Sequence, residues 1–477
     1  MVADRVLRVS ESENDELRQG IAKIQAEQHL ETEFPPEVEQ AAELAAANPT
    51  MPELDRTDIE LVTIDPASAM DLDQAMHIER DGDGYVVHYA IADLAAFVEP
   101  GDPIDVEANR RGVTLYGADT KLPLHPKVLS EGAASLLPDE DRPGLLWTIR
   151  LDKDGEGTDV KLERARVRSR AKLDYNGVQQ QLDGGAAGDI GVLLKAVGEL
   201  RLAKEAERGG VSLPMPEQEV DIESDVWKLE FRQMLPVESW NAQISLLTGF
   251  AAASMMVYAR VGILRTLPPP APDAVKRLHR AAKALHIDWP AEELYPDFIR
   301  SLDVNKPNHA AMISACTALL RGAGYVGFDG AVPAQPEHAA LASEYAHVTA
   351  PLRRLVDRYG LEVCVALSAG TSVPSWVLEK LDELPKTMQQ ADRRSHQYEN
   401  AVLDLVEAET LKTRVGERFP GVVLELAPDD PHKGRVMISD PAVEANVAGA
   451  EPLPVGEEVS LTLAEADPAT RVVRFTL

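Results

Sequence analysis

Cysteine is scarce in this sequence. The 477 residues include only Cys316 and Cys364, which stand far apart and form no Cys-x-x-Cys pair. Their number and spacing exclude a disulfide framework and give no support to a structural zinc site. Unpaired cysteines fit a reducing compartment, so we expect a cytoplasmic protein.

Long uninterrupted hydrophobic runs are also lacking. The most apolar stretch, Ile244 to Ala259, includes Ser245, Thr248 and Ser254, and it is shorter than the ~20 residues that a membrane-spanning helix needs. No positively charged leader followed by an apolar segment opens the chain. We therefore predict a buried core helix here, no membrane span, and a globular protein of more than one domain.

Positive charge is the third shortage. Forty-eight Lys and Arg oppose 79 Asp and Glu, which gives a net charge of −31. Such a balance disfavours loose binding of nucleic acid over the whole surface. A protein that holds RNA in a channel needs basic residues only along that channel, because charges beyond a Debye length of ~8–10 Å are screened.

The hydrophobic pattern changes along the chain. Residues 15–47 have a helical composition interrupted by Pro35-Pro36, whereas residues 60–167 alternate as strands do, with glycine-containing turns at 81–84 and 152–157. Helical periodicity prevails over 191–413. The last ~65 residues return to short strands separated by Pro, Asp and Gly, which is typical of a small barrel. Strands followed by helices indicate the α+β class.

Three carboxylates, Asp65, Asp71 and Asp73, lie within nine residues between two predicted strands. Extended backbone directs Asp71 and Asp73 to the same side. Like charges so close raise one another's pKa values, and a divalent cation with a preference for oxygen ligands, Mg²⁺ or Mn²⁺, relieves that repulsion. On spacing alone a solvated acidic loop explains the cluster equally well. An EF-hand calcium loop does not, because the Gly at its sixth position and the Glu at its twelfth are absent.

Specific motifs follow one another in a fixed order from about Leu54 to Thr413. They are Ile64-Asp65-Pro66 with Asp71-Leu72-Asp73, Tyr89-Ala90-Ile91-Ala92-Asp93, Arg111-Gly112, Leu122-Pro123-Leu124, Ser135-Leu136-Leu137-Pro138, Lys172-Leu173-Asp174-Tyr175, Thr349-Ala350-Pro351-Leu352-Arg353-Arg354, and Arg393-Arg394 with Glu399. This series resembles the RNB catalytic domain of the ribonuclease II and ribonuclease R family.

The resemblance implies a domain organisation and an activity. It implies a helical N-terminal element at residues 1–53, an RNB catalytic domain with a twisted sheet surrounded by helices at 54–413, and an OB-type RNA-binding barrel at 414–477. The implied activity is processive 3′→5′ hydrolysis of single-stranded RNA to nucleoside 5′-monophosphates by a monomer that uses Mg²⁺, with Mn²⁺ as a possible substitute.

The same resemblance assigns roles to individual residues. The implied metal ligands are Asp65, Asp71, Asp73 and Gln74; the implied catalytic residues are Asp71, Asp73, Arg353 and Glu399; the implied RNA-binding residues are Tyr175, Arg353 and Arg354. The structural alternatives are that Arg353 is an ordinary surface arginine and that Tyr175 is a core aromatic residue.

The sequence departs from the family pattern in three places. Gln74 stands where the better-known members carry a fourth metal-binding aspartate. The C-terminal barrel contains few aromatic residues that could stack on bases. The N-terminal region is too short and too helical for paired cold-shock barrels. The glutamine at position 74 leaves a second function open, that of a catalytically inactive RNA-binding protein. A DNA-binding helix-turn-helix regulator is a third, which is disfavoured because residues 22–47 contain one Lys and no Arg.

Overall fold

A computed structural model describes residues 15–118, 120–223 and 226–477 of the protein. The helices are α1 (Asp15–Glu27), α2 (Pro36–Ala47), α3 (Pro103–Arg111), α4 (Tyr175–Asp183), α5 (Asp189–Arg208), α6 (Pro236–Ala259), α7 (Pro272–Ala284), α8 (Tyr295–Arg300), α9 (Pro307–Cys316), α10 (Leu355–Ser368), α11 (Ser375–Leu378) and α12 (Leu384–Leu411).

The strands are β1 (Leu61–Asp65), β2 (Gln74–Asp81), β3 (Gly84–Ala92), β4 (Leu115–Tyr116), β5 (Lys121–Leu122), β6 (Asp141–Leu151), β7 (Gly157–Asp174), β8 (Glu217–Glu223), β9 (Val226–Arg232), β10 (Val261–Thr266), β11 (Gly324–Asp329), β12 (Glu337–His338), β13 (Ser343–Glu344), β14 (Arg418–Ala427), β15 (Asp430–Ser439), β16 (Ala442–Ala448), β17 (Glu458–Asp467) and β18 (Val472–Thr476). The predicted α+β class is confirmed.

The first sheet twists far enough to close on itself. Strands β1, β2, β3, β6 and β7 form a barrel, in which β1 and β7 run parallel and the other neighbours run antiparallel. The two predicted turns carry Gly82 at φ +60° and Gly155 at φ +80°, a conformation that glycine adopts without steric cost. The parallel pairing joins Asp65 to Asp174, so the acidic segment begins beside the start of α4.

Helices cover this barrel and bury the most apolar segment. By length and composition α6 could cross a membrane, but its buried side chains, among them Trp240, Ile244 and Met256, belong to the main hydrophobic core. The helix packs against α5, α10 and β10. It therefore occupies the place of a core helix, as the interrupting serine and threonine residues predicted.

The N-terminal helices pack on separate parts of the catalytic domain. Helix α1 lies against α12, and α2 lies against α3. Between them the guanidinium of Arg111 stands over the Phe34 ring at 3.8 Å, and Arg110 pairs with Glu31. Residues 1–14 of the predicted N-terminal element lie outside the described residues.

A second closed barrel ends the chain, with the strand order β14-β15-β16-β18-β17. It packs against α9 and α12. Its aromatic residues, Phe419 and Phe475, are both buried and meet edge to face with ring centroids 5.8 Å apart. The predicted C-terminal barrel is thus confirmed. Both of its aromatic rings pack inside the barrel core.

Candidate active site

The acidic segment, residues 65–74, forms the acid loop, which joins β1 to β2 of the first barrel. Asp65 is the last residue of β1 and Gln74 is the first of β2. The hydroxyl of Ser135 accepts a hydrogen bond from the Leu72 amide at 3.0 Å and donates one to the Met70 carbonyl at 2.7 Å. Because Leu72 is fully buried, these contacts fix the backbone on both sides of Asp71.

Asp73 ties this loop to the distant Arg353 segment. Its carboxylate is buried, Oδ1 accepts a hydrogen bond from the Leu352 amide at 2.7 Å, and Oδ2 lies 3.6 Å from Arg353 Nε. Burial raises the pKa of Asp73 well above its usual range, and the nearby guanidinium opposes that rise. Two segments that were matched separately in the sequence therefore meet at one carboxylate.

Asp65 shares the electrostatic field of the other two acids. Burial raises the pKa of Asp65 to about 6, the charge of Arg353 opposes the rise, and the charge of Asp71 adds to it. Asp71 also raises the pKa of Asp73. The charge of Asp71 thus acts on both Asp65 and Asp73, in agreement with the repulsion that their spacing predicted.

Asp71 is held by a cation that the sequence interpretation missed. Nζ of Lys121 lies 2.8 Å from Asp71 Oδ1 and 2.8 Å from Glu131 Oε1. Lys121 begins β5, opposite Tyr116 in β4, whereas Glu131 lies in a short π-helical turn, Leu129–Ala133. Burial lowers the pKa of Lys121, but the two carboxylates outweigh that effect and the net shift is upward.

The donor set suits a hard divalent cation, although the three acids do not surround a common point. Within the described ranges, no three Asp, Glu, His or Cys side chains form a group that could hold a metal ion. Buried carboxylates whose pKa values are raised by burial and mutual repulsion are nevertheless the groups that a divalent cation stabilises. By the chemistry of their oxygen donors, Asp65, Asp71 and Asp73 would therefore fit such an ion.

Gln74 uses its amide as a donor. Its Nε2 donates a hydrogen bond to the Thr349 carbonyl, and the Thr349 hydroxyl is 2.9 Å from that of Ser245. A carboxylate at position 74 has no proton to donate to that carbonyl. This hydrogen bond explains why glutamine is tolerated at position 74. Ligation of a metal ion through Gln74 Oε1 stays a prediction.

The two neighbouring arginines differ in their surroundings. The Arg354 guanidinium makes two hydrogen bonds to Asp357, at 2.9 and 2.8 Å, and Asp357 is completely buried. The Arg353 side chain is 44% exposed and lies beside Asp73. Of the pair, Arg353 is therefore available to a phosphate, whereas the charge of Arg354 is already matched. Its predicted contact with RNA stays a prediction.

Tyr175 and Glu399 lie on two helices that contact different elements of the site. Tyr175 begins α4, and its hydroxyl accepts a hydrogen bond from Asn241 at 3.0 Å. Burial raises the pKa of Tyr175, and the charge of Asp65 adds to the rise. Glu399 accepts a hydrogen bond from Ser395 at 2.7 Å, and its helix α12 packs against β4. Tyr175 thus lies near Asp65, and Glu399 lies on a helix that borders the hairpin of Lys121.

Comparison with protein families gives two matches. The RNB domain matches residues 54–363, and the RNase II-type exonuclease C-terminal S1 domain matches residues 417–477. Ribonuclease R of Escherichia coli is 28% identical over 399 residues, which cover 78% of this chain and 48% of that protein. The chain therefore spans about half the length of this relative.

Solved structures share the fold. The apo form of Mycoplasma genitalium RNase R has a TM-score of 0.85 at 20% identity, covering 97% of this chain and 78% of that one. The same protein has been described in complexes with ribose methylated single-stranded RNA and with double-stranded RNA. Yeast Ssd1, described as a pseudonuclease, has a TM-score of 0.71 at 15% identity, covering 96% of this chain and 58% of that one.

Proposed function

Because the chain belongs to the RNB domain family, as its motifs predicted, we propose that it is a metal-dependent 3′→5′ exoribonuclease that acts on single-stranded RNA. The observation that carries the proposal is the meeting of Asp73 with Leu352 and Arg353. In this contact the guanidinium of Arg353, which we propose binds a phosphate, lies beside the buried carboxylate of Asp73. We further propose a cytoplasmic monomer that uses Mg²⁺ or Mn²⁺ and releases nucleoside 5′-monophosphates.

Each of the proposed site residues has a separate role in the reaction. Asp65, Asp71 and Asp73 would hold the cation, with Gln74 Oε1 as a neutral ligand. A divalent cation supplies Lewis acidity that stabilises the negative charge developing at phosphorus. Arg353 binds the phosphate and offsets the same charge. Glu399, on the helix that borders β4, is the proposed late-helix acid beside the 3′ end.

A labelled oligonucleotide tests the function directly. A 5′-labelled single-stranded RNA should shorten from its 3′ end when Mg²⁺ or Mn²⁺ is present and stay intact in EDTA. A DNA of the same sequence is the control, and it should persist because 2′-hydroxyl contacts distinguish the two nucleic acids. Binding of the RNA without cleavage in any divalent cation would instead support the inactive RNA-binding protein, which Gln74 and the Lys121–Asp71 pair favour.

Gln74 should reduce the affinity for Mg²⁺. We expect Gln74→Asp to lower the Mg²⁺ concentration at half-maximal activity by about tenfold, because the variant adds one negative charge beside the cation. The measurement is a Mg²⁺ titration of cleavage for both proteins. Gln233→Asp, which adds the same charge at an exposed position, is the matched control. Equal midpoints for wild type and Gln74→Asp would place position 74 away from the metal.

Tyr175 should set the length of the smallest product. A base stacked on an aromatic ring gains ~1–3 kcal/mol, so Tyr175→Ala should release longer final oligonucleotides. Tyr175→Phe keeps the ring, loses only the hydrogen bond with Asn241, and should keep the wild-type ladder. Tyr258→Ala, at a side chain that is 93% exposed, controls for loss of a tyrosine. An unchanged ladder for Tyr175→Ala removes this residue from the RNA path.

A further inference from the structure

Lys121 is the one cation whose ammonium group bridges Asp71 to a second carboxylate among the described residues. Its side chain is 16% exposed, and those of Asp71 and Glu131 are similarly enclosed. Both oxygens lie at 2.8 Å, the ordinary length of a charge-assisted hydrogen bond. The ammonium group therefore occupies Asp71 Oδ1, one of the carboxylate oxygens that would hold the metal.

A lysine in this position opposes metal binding in two ways. It occupies one of the two Asp71 carboxylate oxygens, and its own positive charge repels a divalent cation. At the low effective dielectric of a half-buried site these effects are stronger than at an exposed surface. Together with the missing charge at Gln74, Lys121 leaves the acid loop less negative than the spacing of its carboxylates suggests.

Glu131 offers the ammonium group of Lys121 a second carboxylate partner. The long, flexible side chain of Lys121 can release Asp71 and keep its hydrogen bond to Glu131, so the ammonium group does not lose all its partners when a metal enters. We propose that Lys121 is a built-in counter-ion of the metal site, which competes with the divalent cation for Asp71 and moves onto Glu131 when the cation binds. This inference rests on the proposed metal-dependent function.

Direct measurement of Mn²⁺ binding tests the inference without any reaction. Free Mn²⁺ is followed by electron paramagnetic resonance as it is added to the full-length protein in the absence of RNA. An acidic chain also binds Mn²⁺ weakly elsewhere, so binding at the site is defined as the part that Asp73→Asn removes.

The two partners of the bridge should respond with opposite signs. Lys121→Met should bind Mn²⁺ about tenfold more tightly than wild type, because the competing charge is gone. Glu131→Gln should bind Mn²⁺ more weakly, because Lys121 is then left with Asp71 as its charged partner. Lys204→Met is the matched control: Lys204 is 20% exposed and pairs with Glu207 at 2.9 Å, and its loss should leave Mn²⁺ binding unchanged.

A purely structural lysine predicts a different pattern. If Lys121 only braces the loop, both variants loosen Asp71 and weaken Mn²⁺ binding, and this result overturns the inference. Lys121→Gln keeps a hydrogen-bond donor without the charge and replaces Lys121→Met if thermal unfolding shows that the methionine variant does not fold. Absence of Mn²⁺ at the site in wild type and in every variant overturns the metal-dependent function as well. Binding in wild type without a gain in Lys121→Met or Lys121→Gln overturns the role of Lys121 alone.

Discussion

Asp73→Asn should lower the rate of RNA cleavage by at least about 10³-fold while RNA affinity stays within a few-fold of wild type. Asparagine keeps an oxygen that can accept the hydrogen bond from the Leu352 amide, so the loop should keep its conformation. What disappears is the negative charge beside Arg353. Single-turnover cleavage and filter binding on the same oligonucleotide separate the two effects.

The hairpin turn of the first barrel supplies a control for this variant. Asp83 is exposed in the turn between β2 and β3, and Asp83→Asn removes the same charge without touching the acid loop. It should cleave at the wild-type rate. An Asp73→Asn protein that digests RNA as fast as wild type would remove Asp73 from the catalytic centre, and one that loses RNA binding in parallel would make it a binding residue.

Local patterns in the sequence were sufficient to predict the strands next to the acid loop. Alternating residues predicted β2 and β3, and the turn at 81–84 follows from its glycines. The closure of the barrel depends on the parallel pairing of β1 with β7, which joins residues more than a hundred positions apart. The hydrophobic pattern of either strand alone does not reveal this pairing. The prediction was therefore a twisted sheet and not a closed barrel.

Two hairpin-like features were missed for local reasons. Strands β8 and β9 are rich in glutamate and are joined through Ser224-Asp225, which lacks the glycine that usually identifies a short turn. Strand β16 begins directly after Asp440-Pro441, and that dipeptide reads as a loop.

The site shows the same division between local and distant information. The spacing of Asp65, Asp71 and Asp73 predicted mutual repulsion, and the charge of Asp71 does contribute to the raised pKa values of Asp65 and Asp73. Lys121 stands fifty positions from Asp71, so only the tertiary fold brings the two together. The partner of Arg354 was within reach of the sequence, because Asp357 follows it by three residues at the start of α10, a spacing at which side chains meet on a helix.

The ion pair between Arg354 and Asp357 is the basis of the second large predicted effect. Asp357→Ala should reduce the free energy of unfolding by about 3 kcal/mol, because it leaves the partly buried Arg354 guanidinium without its counter-charge. The carboxylate also accepts a hydrogen bond from the Ala350 amide at 2.7 Å, which the variant loses. Urea unfolding followed by circular dichroism measures the change, with an unaltered slope against urea indicating the same folded state.

A double variant separates the unpaired charge from the lost packing. Arg354→Met with Asp357→Leu removes both charges and fills part of their volume, so it should recover most of the stability that Asp357→Ala loses. A double variant as unstable as Asp357→Ala would show that the pair acts by something other than charge compensation. The same segment carries the Thr349 carbonyl bound by Gln74 and the Leu352 amide bound by Asp73. Loss of the Ala350 anchor in Asp357→Ala should therefore also weaken Mn²⁺ binding at the acid loop, whereas a destabilised protein with wild-type Mn²⁺ affinity would show that this segment does not position the metal ligands.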